Sequence, residues 1–134
     1  MPEDLFSRPD HLDVAEFMGF RNKIAGTATS VSGEHATVAI EGAGIVGRAR
    51  NTVTPGSAAH VAIRPEDLHP VAASSVGLKA QVISTEFRGR EFVGFARMGD
   101  GTDLSFLATE RLAPGAEVTL AAEPDRILVY GAAA

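Results

Sequence analysis

The sequence predicts an all-β barrel or sandwich. Three observations carry that expectation: short apolar runs broken at close intervals by turn residues, the loss of helical periodicity from Ile24 onward, and an internal repeat. The runs are IAGTATSV, HATVAI, IVGRAR, AHVAIR, LKAQVISTEF, EFVGFARM, TDLSFLA, EVTLAA and RILVY, punctuated by SGE, EGAG, TPGS, RGR, GDG and APG. Each is a strand by length and composition, and the alternation in ATVAI and EFVGFARM suits strands with one face on a core.

Taken in order, the chain opens differently. Pro2-Glu3-Asp4 places proline and acids where a helix start favours them, and Asp10 can cap a short helix over residues 10–18. That helix puts Val14, Phe17 and Met18 on one face before Gly19 stops it. Residues 1–21 are therefore expected to be an N-terminal helical segment. The strands then follow in two groups, residues 22–71 and 77–130. Within the second, Gly99-Asp100-Gly101 predicts a tight hairpin.

The two groups are copies of one unit. Pro55-Gly56 and Pro65 recur as Pro114-Gly115 and Pro124, both at an offset of 59, and upstream of these anchors the register slips by a few residues. Each copy reads as a strand pair, a Pro-Gly turn, a strand, a Pro-charge turn and a closing strand. The Pro-charge turns are Arg64-Pro65-Glu66-Asp67 and Glu123-Pro124-Asp125-Arg126. Proline cannot donate to a ladder and holds the residue before it extended, so it ends one strand and sets the turn into the next. Glu66 and Asp67 can accept turn amides or pair with Arg64, and Asp125 and Arg126 stand at the matching places. Turn chemistry accounts for these residues. Contact with a partner or ligand is the competing role.

Composition narrows the functional classes. The absence of cysteine rules out disulfides and thiolate metal sites in this sequence. A net charge of −5 argues against general nucleic-acid binding, which draws most of its affinity from clustered positive charge. No run of about 18 uncharged apolar residues is present. The acidic start lacks the basic and apolar regions of a secretory signal, which leaves the cytoplasm as the default location.

Candidate sites are few. Gly42, Gly44 and Gly47 have the spacing of a dinucleotide loop, but β-branched residues and Pro55 follow where a helix is required. Arg48-Ala49 stands where a phosphate loop needs Lys and Ser or Thr. His11, His35, His60 and His69 lack a metal-ligand spacing, and no nucleophile elbow occurs. Arg88, Arg90 and Glu91, flanked by Phe87 and Phe92, make the densest positive loop. They are a hairpin turn, or a contact for an oxyanion or a strand of nucleic acid.

The segments VAEFMGFRN, PGSAAHVAIRPEDL, LKAQVISTEFRGREFVGFARMGDGTDL and LAPGAEVTLAAEPDRILVY, in this order, resemble the C-terminal TOBE (transport-associated OB) domain of ATP-binding subunits of ABC importers. Importers of the maltose, spermidine, iron and sulfate types carry it. The resemblance runs from about Pro2 to Tyr130. It implies two tandem OB-like units of TOBE/MOP type after a short helix, and a non-catalytic regulatory or interaction domain. The implied partners are the ATPase domain of the same polypeptide, a second copy of the subunit and, indirectly, a membrane permease at the inner face of the plasma membrane. ATP and magnesium would belong to the ATPase domain, and this chain would hold no cofactor or metal. No GxxxxGK[ST] or LSGGQ motif occurs in it. The alternative is a small-ligand module holding an oxyanion, similar to molybdate-binding domains of tandem OB-like design.

Overall fold

The computed structural model describes residues 19–131, so the helix expected over residues 10–18 lies outside the described residues. Ten strands follow: β1 (Asn22–Ser32), β2 (His35–Ile40), β3 (Ala43–Ala49), β4 (Ala58–Ile63), β5 (His69–Val71), β6 (Leu78–Phe87), β7 (Phe92–Met98), β8 (Asp103–Ala108), β9 (Glu117–Ala121) and β10 (Ile127–Gly131). Single 3-10 turns at Pro65–Asp67 and Pro124–Arg126 are the only helical pieces among the described residues. All nine apolar runs appear as strands. The remaining strand, β5, closes the first copy.

The strands form a closed barrel in the order β1-β2-β3-β10-β4 and a five-stranded sheet in the order β5-β9-β6-β7-β8. Each copy therefore gives its last strand to the other copy's sheet. β10 lies antiparallel to β4 and parallel to β3, while β5 lies antiparallel to β9. The second sheet curls toward closure, and the Leu107 amide donates to the Leu68 carbonyl at 3.0 Å between β8 and the start of β5.

The repeat is visible bond by bond. β1 bulges between Ala28 and Ser30, and β6 between Val82 and Ser84. At each bulge a Pro-Gly turn docks through the same pair of bonds: the Gly56 amide to Ala28 O and the Gly115 amide to Val82 O, both 2.7 Å. The return bonds run from the Ala28 amide to Ser57 O and from the Val82 amide to Ala116 O. Gly56 and Gly115 both sit at φ 88°, a left-handed conformation that a Cβ would penalise.

The inner faces of both sheets feed one continuous core, which includes Ile24, Val38, Val61, Leu68, Leu78, Val82, Leu104, Phe106, Leu120, Ile127 and Val129. A smaller cluster of Phe20, Ala62, Leu128 and Tyr130 lies apart from it. Between the two sheets Asn22 is buried and uses its carboxamide as a strand mimic. Its Nδ2 donates to Ser105 O and its Oδ1 accepts from the Ser105 amide, each at 2.8 Å. A polar side chain buried this deeply is tolerated because both of its ends are satisfied.

Candidate interaction site

The exchanged strands set the two Pro-charge turns side by side. β4 ends at Ile63 and β10 begins at Ile127, and these two residues are register partners, so the turn leaving β4 and the turn entering β10 emerge together. Both turns have the same build. Arg64 and Glu123 are extended at φ/ψ of −73/142° and −63/139°, proline occupies the first helical position, and the amides of Leu68 and Ile127 close back onto the carbonyls of Pro65 and Pro124. Proline fits there because the amide it lacks would be unsatisfied in any case.

Between the turns lies an open cavity of about 410 Å³ lined by Phe20, Arg48, Arg64, Asp67, Asp125, Arg126 and Leu128. Four of the residues singled out from sequence, Arg64, Asp67, Asp125 and Arg126, thus share one site. Glu66 does not line it and is exposed. Neither N-cap residue, Arg64 or Glu123, makes a side-chain cap bond, so each turn is closed by its backbone bond. Arg64 lays its guanidinium over the Phe20 ring, 4.3 Å from the centroid. That contact orients a cation while covering an aromatic face.

Asp125 is the hub on the other side. Its Oδ1 lies 3.4 Å from Arg48 Nε and 3.3 Å from His35 Nε2, and Arg48 Nη1 donates to Glu34 Oε2 at 2.9 Å. This network joins the β1–β2 turn, β3 and the second Pro-charge turn, so a carboxylate of the second copy is held by groups of the first. Arg48 is the most sheltered of the four and its fork spans two carboxylates, which suits guanidinium geometry. Sequence reasoning missed Arg48, Glu34 and His35 as members of this network because its hub, Asp125, lies in the other copy, 90 positions from His35. The one usable signal was Arg48 alternating with small residues in a strand.

Arg88, Arg90 and Glu91 lie elsewhere, at the tip of the β6–β7 hairpin. Gly89 takes φ 81°, the Arg88 amide donates to Glu91 O at 2.8 Å, and Arg88 Nη2 pairs locally with Glu86 at 2.7 Å. Phe87 and Phe92 pack with ring centroids 5.2 Å apart, and Arg111 covers Phe92. From Ser84 to its partner Phe95 is 11 positions, whereas from Ser30 to Thr37 is 7, so this loop is an elongation peculiar to the second copy. Gly42, Gly44 and Gly47 belong to the β2–β3 hairpin and to β3 itself, where no phosphate-binding helix follows. No group of three or more potential metal ligands is found among the described residues.

Residues 61–129, about half of the chain and containing both turns, match the TOBE domain family. The chain belongs to that family. Two similar proteins are the spermidine/putrescine import ATP-binding protein PotA of Methylococcus capsulatus (strain Bath), 32% identical over 91 residues, and its namesake from Marinobacter nauticus (strain VT8), 26% identical over 113 residues. The matches take in 66% and 81% of this chain but 24% and 30% of those proteins, so the TOBE chain corresponds to less than a third of either relative. Among solved structures, the cytoplasmic molybdate-binding protein ModG with molybdate bound aligns at a TM-score of 0.58 and 14% identity. That alignment covers 81% of this chain and 94% of ModG, and establishes a shared fold. Among the described residues no helix is long and apolar enough to cross a membrane.

Proposed function

We propose that this TOBE chain is the non-catalytic accessory domain of an importer's ATP-binding subunit, and that the paired Pro-charge turns are its interaction site. The supporting observation is the meeting of Arg64, Asp67, Asp125 and Arg126, from two distant segments, around a single open cavity. Arginines held by aromatic and carboxylate neighbours keep their forks oriented, which lowers the ordering cost of docking. The partner surfaces are the ATPase domain of the same polypeptide and the same domain of a second subunit, beneath a permease on the cytoplasmic side of the membrane. ATP chemistry belongs to the ATPase domain. The imported solute is selected by other components.

A chimaera tests this directly. Residues 22–131 replace the matching segment of the Methylococcus import protein, and subunit dimerisation, ATPase activity and solute uptake are measured. The reading expects all three to be retained, and the Arg64→Glu/Arg126→Glu double variant to lower dimerisation or uptake severalfold while leaving the far-UV spectrum unchanged. A chimaera whose assembly and uptake ignore the double variant would count against the site.

The likeness to ModG supports a second reading, an oxyanion module. The cavity wall sets Asp67 and Asp125 against its three arginines, and Arg48 is also paired with Glu34, so the site has little net positive charge to offer an anion. Calorimetric titration with molybdate and sulfate separates the readings. Saturable heat lost in Arg64→Ala and Arg126→Ala would favour the oxyanion module.

A further inference from the structure

The two halves differ at one strand edge. In the β2–β3 ladder the Ala49 amide donates to Glu34 O, so Ala36↔Gly47 and Val38↔Ile45 are the hydrogen-bonded pairs, and Gly44, Val46 and Arg48 turn their amides and carbonyls away from β2. β10 takes up only the far end of that outer edge, at Arg48 and Ala49. Gly44 and Val46 have no strand partner there among the described residues.

The matching edge of β8 is closed. Ser105 corresponds to Val46 at the offset of 59, and both of its outward groups are taken by the carboxamide of Asn22. Ile24 pairs with Val61 and Leu78 with Leu120, so β1 and β6 correspond at an offset of 54 and the counterpart of Asn22 is Val76. The valine side chain has no carboxamide to offer, and Val76 stands 67% exposed.

Beside the open edge runs a slot of about 320 Å³ with no charged residue in its wall. Ile63, Leu68, Val76, Leu78, Leu120 and Ile127 contribute its apolar surface. The described chain begins at Gly19, next to Arg64, and ends at Gly131, against Thr52, and none of these lines the slot.

We propose that this edge and slot bind an extended segment of another polypeptide by strand addition along Gly44–Val46, with an uncharged apolar side chain entering the slot. The satisfied β8 edge shows the chemistry that fits. A group with one donor and one acceptor in amide geometry satisfies Ser105, and a peptide unit carries the same pair. Main-chain bonds would supply affinity, and the uncharged walls would select an apolar residue over a charged one.

The probe is an acetylated and amidated pentapeptide of alternating valine and threonine with a central phenylalanine, added at up to millimolar concentration to the full chain labelled with 15N. Shifts confined to the amides of Gly44, Val46, Val76 and Gly77 are expected. Val46→Pro removes the outward donor without touching a β2 bond, and Val76→Glu places a charge at the slot mouth. Each should weaken the peptide at least tenfold, while the amide spectrum elsewhere stays native. Shifts elsewhere, no shifts, or unchanged binding by both variants would overturn the proposal. So would concentration-dependent exchange protection of Gly44 and Val46 without peptide, which would identify a second copy as the occupant. The same protection lost on deleting residues 1–18 would assign the edge to the chain's own N-terminus.

Discussion

The two halves share strand order, bulges and turns, yet the exchanged strand pairs into a closed barrel in the first and not in the second. The difference lies in the exchanged strands. β10 is five residues, Ile127–Gly131, without proline, and its pairing with β3 completes the first barrel. β5 is three residues, and Pro70 stands where β10 has Val129. Proline has no amide to donate, so the counterpart ladder to β8 shrinks to the Leu107–Leu68 bond.

Core volume follows the same division. In the first half Gly47 leaves room for the closing strand: a Cβ there would come within 2.6 Å of Ile127 Cγ2 and 2.9 Å of Val129 Cγ2. Its counterpart at the offset of 59 is Phe106, fully buried, whose ring lies where a Cβ on Gly94 would stand. Gly94 is the register partner of Phe106, and Ala36 that of Gly47. One half fills its interior with a longer strand, the other with an aromatic ring. Close packing allows either arrangement but not both at once.

Emptying the second half gives the largest expected effect. Phe106→Ala should cost about 3–5 kcal/mol, read as a lower urea midpoint. The loss should appear in a single transition, since each sheet contains a strand from both copies. Filling the first half where the closing strand lies comes next. Gly47→Val should cost about 1–3 kcal/mol through overpacking against Ile127 and Val129, and should raise amide exchange in β10 above that in β6.

Asn22→Ala would make the β8 edge resemble the β3 edge. About 1–3 kcal/mol is expected from leaving the Ser105 groups without their partner, with exchange at the Ser105 amide accelerated. Pro70→Val should lengthen the β5–β8 ladder, with a stability change below about 1 kcal/mol. Slower exchange of the β5 amides would show it.

The smallest effect concerns the hairpin turns. Asp100 is held below the usual carboxylate range by the Thr102 side chain and then by the Thr102 amide, which donates to Oδ1 at 2.9 Å. A lowered folded value means a contribution present above the ordinary carboxylate range and lost as pH falls through the folded value. Exposure keeps it small. The Thr102 amide shift should titrate with a midpoint below that of an unperturbed aspartate, and Asp100→Asn should abolish the titration.

Strand existence was legible because alternation and turn residues are local signals. The nine runs and the Gly99-Asp100-Gly101 hairpin needed only neighbours in sequence, as did the Pro-Gly turns whose glycines require positive φ. The repeat announced two similar units. The site was legible in part. Arg64, Asp67, Asp125 and Arg126 stood out as charges beside proline, but the roles of Asn22, Glu34, His35 and Arg48 were hidden because each depends on a partner in another element.

By itself, the sequence determined the all-β class, the strand boundaries to within a few residues and the duplicated unit, since propensity, alternation and proline geometry act over a few residues. Only the tertiary structure decided that the closing strands trade places, that the two Pro-charge turns meet, and which strand edge is left open. Strand pairing between distant segments is set by backbone bonds that every sequence can make, so the choice falls to packing. Here Gly47 admits β10, and Phe106 fills the space that short, proline-bearing β5 leaves.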